Sequence, residues 1–201
     1  MIDIFKLSRL NQSDVIAFWP YGSRVYGTHD YQSDRDYIIV HNGDKANDAQ
    51  QYDTFDKKIS TTVYHVDSWK EHLLNQKIFA LECQFCKITS PFEYEVNLPL
   101  LRKEISSKAS NSWVKCKKKL EVENERRIGI KSLFHSFRIP MFGIQVATCG
   151  RIYDYYEAND LWVRELEPYL HNDTTWDTLK EIYQPRHNAL MTEFRKVAEN
   201  D

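Results

Sequence analysis

The run Gly22-Ser23-Arg24-Val25-Tyr26-Gly27, then Ser33-Asp34-Arg35-Asp36, then Tyr37-Ile38-Ile39-Val40, constrains this chain more than any other stretch. Val15-Ile16-Ala17-Phe18-Trp19, ahead of the first glycine, reads as a strand, and the Tyr-Ile-Ile-Val tail as a second strand entering a core. Between them the Gly-Ser pair makes a tight turn into a short helix. Side chains two apart on a strand share a face, so Asp34 and Asp36 would aim two carboxylates at one point. Paired oxygen donors suit Mg²⁺ (or Mn²⁺), and backbone amides at a helix start favour a neighbouring anion.

At 201 residues the chain is one large domain or two small ones, and 42% hydrophobic with 13% aromatic residues is enough for a core. The net charge is −2, which gives no overall basic footprint for nucleic acid. Residues 1–100 hold 10 Lys+Arg against 14 Asp+Glu, net −4, and residues 101–201 hold 17 against 15, net +2. No apolar run approaches the ~20 residues of a membrane span. The N-terminus lacks the apolar stretch of a signal peptide. Four cysteines, with Cys83-x-x-Cys86 unaccompanied by a second pair, read as reduced thiols. An intracellular, cytoplasmic protein is the expectation.

Residues 1–100 look α/β. The polar stretch His41 to Asp56 reads as a turn or mobile loop, Ile59 to Val66 as a third strand, and Asp67-Ser68 as the cap of the following helix. Pro91 to Pro99 reads as a linker. Residues 101–201 turn helical: one polar helix over Asn111 to Arg127, a second over Ile128 to Thr148 stopped near Gly150, and a third from about Asp177. Pro140 should kink or split the second and Pro185 interrupt the third. The fold class expected is α+β, with a mixed-sheet domain followed by a helical domain.

Gly-Ser, a second glycine soon after, then Ser-Asp-x-Asp before an apolar strand resembles the signature of the DNA polymerase β superfamily of nucleotidyltransferases. The resemblance implies that Gly22, Ser23, Arg24 and Ser33 contact the phosphates of a nucleoside triphosphate. It implies that Asp34 and Asp36 bind Mg²⁺ as catalytic ligands. The reaction implied is transfer of a nucleoside monophosphate to a hydroxyl with release of pyrophosphate.

Lys131, His135 and Arg138 are spaced i, i+4, i+7 and share one helix face, three potential cations beside Leu133, Phe134 and Phe137. Lys-x-x-x-His-x-x-Arg with Cys-Gly about a dozen residues on resembles the helical half of nucleotidyltransferases linked to RNA repair. That implies a triphosphate-facing role for the three residues and an RNA 3′ end as acceptor. A protein hydroxyl, as in antitoxin-like minimal transferases, and a small molecule remain open alternatives.

The superfamily usually carries a third carboxylate on a later strand, and Ile59 to Val66 holds no acid. Asp67 and Glu82 flank that strand. Glu82 has the edge as a catalytic residue, because a carboxylate between apolar neighbours needs a partner. Asp67 sits where a helix cap is expected. Without a third acid, a catalytically impaired nucleotide-binding or interaction module is the other reading. Lys115, Lys117, Lys118 and Lys119, followed by Glu121, Glu123 and Glu125, read as a solvated, charge-paired helix.

Overall fold

The computed structural model describes residues 4–199, which form two compact units dividing at Glu95/Val96. The expected division near residue 100 falls inside the first turn of a long helix, Leu98–Glu121.

In the first unit, α1 (Ile4–Leu7) precedes β1 (Val15–Tyr21), and α2 (Ser23–Tyr26) follows the Gly22 turn. Next come β2 (Arg35–His41), β3 (Gln50–Asp53) and β4 (Ile59–His65), then α3 (Val66–Leu74) and α4 (Ile78–Gln84). The four strands form one mixed sheet in the order β1-β2-β4-β3. β1 runs antiparallel to β2, β2 parallel to β4, and β3 antiparallel to β4. The stretch expected as a loop, His41 to Asp56, therefore contains an edge strand. Its residues Gln-Gln-Tyr-Asp lack apolar alternation, and β4 supplies their backbone partners.

The apolar parts of β2 and β4 fill the centre of this unit. Ile39, Val40 and Val63 are fully buried. On one face, Trp19 stacks on Trp69 of α3 (5.3 Å between ring centroids) and Tyr64 on Phe79 of α4 (5.4 Å). On the other, Phe18 stacks on Tyr37 at 5.0 Å with Phe5 of α1 against it. The helices on the Trp69 face lie over the later halves of β2 and β4, and the early half around Asp36 borders a cavity.

The second unit is helical: α5 (Leu98–Glu121), α6 (Arg126–Cys149), α7 (Asn159–Leu161), a stretch of π and 3₁₀ turns to His171, and α8 (Trp176–Val197). Helix α6 is its buried spine, with Ile130, Leu133 and Phe134 set among Leu161, Trp162, Trp176, Leu179 and Tyr183. Gly150 stops it in the left-handed conformation, φ 72°. Pro140 and Pro185 each lie inside one continuous helix, so Pro140 does not split α6 and Pro185 does not interrupt α8. Pro185 and Glu181, whose carbonyl loses its N–H partner, are both exposed, and water can satisfy that carbonyl. Pro99 stands in the first turn of α5, where the missing N–H costs nothing, so the expected linker is partly helix. Lys117, Lys118 and Lys119 pair with Glu121, Glu123 and Glu125 as a charge-matched surface.

Candidate active site

Gly22 carries the turn between β1 and α2. Its φ of 76° and ψ of −154° lie where side chains are not tolerated. A Cβ there would stand 2.3 Å from Asp36 Oδ2 and 3.2 Å from Asp36 Cγ. The β1–β2 register explains the approach, since Tyr21 pairs with Asp36 and sets the next residue against that side chain. The absent side chain of Gly22 is thus the space that the Asp36 carboxylate occupies. The amides of Val25 and Tyr26 turn back to the Gly22 carbonyl (2.9 and 3.4 Å), and Gly27 ends α2 at φ 74°.

Asp34 precedes β2 by one residue, is exposed, and shares the parity of half-buried Asp36. Arg24, expected at the phosphates, holds the loop that leads to these acids. Its Nη2 donates to the Ser33 carbonyl (3.0 Å) and its Nε to the Asp34 carbonyl (3.1 Å). The Ser33 hydroxyl likewise serves the loop: it donates to Asp30 Oδ1 at 2.9 Å and accepts from the Asp30 amide at 3.0 Å.

The expected third carboxylates lie elsewhere. Asp36 pairs with Ser60 and His41 with His65, so Asp67 follows the opposite end of β4. His65 is about 17 Å along the strand from Ser60 at ~3.3 Å per residue. Asp67 pairs there with Lys45 at 2.6 Å, and that lysine's hydrogen bond depresses its pKa. The cap of α3 is His65, whose ring nitrogen accepts from the Asp67 amide (3.2 Å), not Asp67 itself. Glu82, 2% exposed on α4, accepts a 2.5 Å hydrogen bond from the Tyr26 hydroxyl. This carboxylate anchors α2 from within the core and does not line the cavity beside Asp36. Its apolar neighbours reflect burial under the turn, with Tyr26 as the polar partner that burial demands. Among the described residues, no group of three or more His, Cys, Asp or Glu side chains is arranged to hold a metal.

The cavity next to Asp36 has a volume of about 320 Å³. Tyr21, Ser60, Thr62 and Tyr64 line it from the sheet, Gln51 from the edge strand, and Phe79 from α4. Asp53 pairs with Ser60 across β3–β4, which puts Asp36, Ser60 and Asp53 on one line across the sheet. Sequence reading missed Asp53 because it lies in a polar stretch with no strand periodicity.

In the second unit, Arg138 is 4% exposed, which no solvated basic stripe allows. Its Nε donates to His135 Nδ1 at 3.1 Å, and its guanidinium lies 5.0 Å from the Phe142 ring centroid. Burial, then the charges of Arg138, Lys131 and Lys115, push the His135 pKa well down. The expected third cation is therefore a neutral imidazole at pH 7, as its role as acceptor from Arg138 requires.

The mixed sheet thus sets a Gly-Ser turn against a strand-borne aspartate. Residues 4–119, more than half of the chain, match the family model described as a nucleotidyltransferase domain. The chain belongs to that family, within the polymerase β superfamily. No curated protein matches it. Among the described residues no helix is long and apolar enough to cross a membrane.

Proposed function

We propose that this nucleotidyltransferase moves a nucleoside monophosphate from an NTP to a hydroxyl acceptor and releases pyrophosphate. The observation that carries the reading is the packing of the Asp36 carboxylate against the Gly22-Ser23 turn. It brings an oxygen donor beside backbone suited to phosphate. Two carboxylates, Asp34 and Asp36, fit Mg²⁺, which commonly binds one or two protein carboxylates together with substrate phosphates and water. When bound, the ion would supply charge for the triphosphate. Ser23 and the turn hold the β- and γ-phosphates, and Arg24 fixes the Ser33–Asp34 backbone so that Asp34 stays beside Asp36. Lys131 and Arg138 are assigned to anion binding, with His135 positioning Arg138. An RNA 3′ end is the acceptor suggested by the likeness to RNA-repair transferases, with a protein hydroxyl second. A cytoplasmic setting accompanies this reading.

The test is incubation with each α-labelled NTP and Mg²⁺, with and without total RNA or lysate. Label should move to RNA in the wild type. In the double variant Asp34→Asn, Asp36→Asn it should not move, and Mg²⁺-dependent NTP binding should be lost. Unchanged Mg²⁺-NTP affinity in the double variant would reject the site. One observation favours a second reading, a nucleotide-binding module without turnover: the strand beside Asp36 presents Ser60 and Thr62 where an acid is expected. NTP binding without pyrophosphate release would favour that module.

A further inference from the structure

On the transferase reading above, we propose that Ser60, backed by Asp53 and Gln51, replaces the missing third carboxylate and receives the acceptor's hydroxyl. The register places Ser60 directly opposite Asp36 on the neighbouring parallel strand. Both residues line the same cavity. Among the described residues no Lys or Arg lines that cavity, which leaves it without the positive charge a triphosphate calls for. Its polar lining of hydroxyls and an amide suits an uncharged hydroxyl group.

The hydrogen-bond inventory around Ser60 leaves one place for a ligand. The Gln51 side-chain amide donates to Asp53 Oδ1 at 3.0 Å and to Ser60 Oγ at 3.1 Å, which uses both of its protons. Interactions with Gln51 and with Ser60, its partner across β3–β4, hold the Asp53 pKa down. A serine hydroxyl has one proton and two acceptor sites. Gln51 takes one acceptor site of Ser60, the other is available on a residue that lines the cavity, and Asp53 stands opposite to take the proton. An acceptor O–H bound there would donate to Ser60 Oγ while its oxygen lies near Asp36.

In the transfer step the acceptor oxygen forms a bond to the α-phosphorus. The bond from that phosphorus to the bridging oxygen breaks, and pyrophosphate leaves with the electron pair. The acceptor's proton passes to Ser60 Oγ as the Ser60 proton passes to the Asp53 carboxylate. Ser60 touches the substrate, whereas Asp53 acts through it as a positioning residue and proton sink. Asp53 is exposed, so the proton then leaves to solvent.

The experiment compares single-turnover transfer from an α-labelled NTP by the full chain and by Asp53→Asn, Ser60→Ala and Ser60→Asp, across pH 5–9, alongside Mg²⁺-NTP affinity. Asp53→Asn and Ser60→Ala should slow transfer about 100-fold, the scale of a lost general base, at unchanged NTP affinity. Ser60→Asp, which sets a carboxylate directly opposite Asp36, should restore transfer in the Asp53→Asn background. Unchanged rates and pH profile in both single variants, with an active wild type, would overturn this inference and leave the transferase reading standing. A wild type that binds Mg²⁺-NTP yet transfers label to no acceptor would overturn the transferase reading and this inference with it.

Discussion

Gly22→Ala is the most severe small perturbation of this site, and its size follows from two separable terms. The backbone at φ 76°, ψ −154° is open to glycine and closed to alanine, a strain of about 1–3 kcal/mol. The added methyl would also stand 2.3 Å from Asp36 Oδ2, so the carboxylate must move by more than 1 Å to reach ordinary contact near 3.4 Å. Overpacking of this kind costs about 1–3 kcal/mol more. The sum, about 2–6 kcal/mol, should appear as a lower urea midpoint at constant slope. Mg²⁺-NTP affinity should fall with it, because Asp36 is the group displaced. A double-mutant cycle with Asp36→Ala separates the terms. Truncation leaves only the Asp36 Cβ, 3.4 Å from the new methyl, so the clash goes and the backbone strain stays. The two substitutions should therefore couple by about 1–3 kcal/mol. Additive effects, or a Gly22→Ala protein within about 0.5 kcal/mol of wild type, would refute the claim that Gly22 is the space for Asp36.

Three further outcomes are expected. Arg24→Ala removes two charged hydrogen bonds to the Ser33 and Asp34 carbonyls, at about 1.5–3 kcal/mol. Hydrogen exchange should show faster opening of residues 30–36, and protection equal to wild type would contradict the assigned role. Glu82→Gln keeps an acceptor for the Tyr26 hydroxyl and should leave Mg²⁺-NTP binding intact, whereas Tyr26→Phe removes the buried Tyr26–Glu82 hydrogen bond and should cost about 1–3 kcal/mol in chemical denaturation; loss of metal-dependent binding in Glu82→Gln would make Glu82 a candidate metal ligand again. Burial lowers the pKa of His41 and His187 as it does that of His135, so the folded chain binds fewer protons than the unfolded one. Their contribution is complete above the unfolded value of about 6.5 and is lost as pH falls through the folded values, with a slope of up to about 1.4 kcal/mol per pH unit for each histidine; denaturant midpoints that stay flat from pH 7.5 to 5.5 would refute it.

Much of this fold is legible in the sequence because hydrophobic pattern and turn chemistry agree. β1, β2 and β4 are apolar or β-branched runs, and Gly22 and Gly150 mark backbone that must turn. β3 is invisible for a physical reason: an edge strand of Gln-Gln-Tyr-Asp is held by backbone pairing to β4, which leaves no apolar period. Asp53 was hidden with it. Proline positions misled in the opposite direction, since Pro99 fits a helix's first turn and Pro185 faces water. The cap of α3 was misplaced by two residues because the cap is a histidine, a side chain that propensity does not favour at that position. His135 counts as a cation in the sequence, but burial beside Arg138, Lys131 and Lys115 keeps it neutral.

The two acids that flank β4 show how position along a sheet decides chemistry. Asp67 follows His65, at the end of β4 remote from Ser60, and its charge meets Lys45 there. Glu82 is drawn into the core, where it accepts a hydrogen bond from Tyr26 and so holds α2 beside the Gly22-Ser23 turn. Strand register keeps Asp67 at the far end of β4 from Asp36, and the hydrogen bond from Tyr26 engages Glu82. The sheet line through Asp36 runs from Tyr21 through Asp36 and Ser60 to Asp53. On the inference above, the acceptor's proton passes along this line to Ser60 and on to Asp53, because the register brings those two residues to Asp36 while Asp67 and Glu82 are engaged with Lys45 and Tyr26.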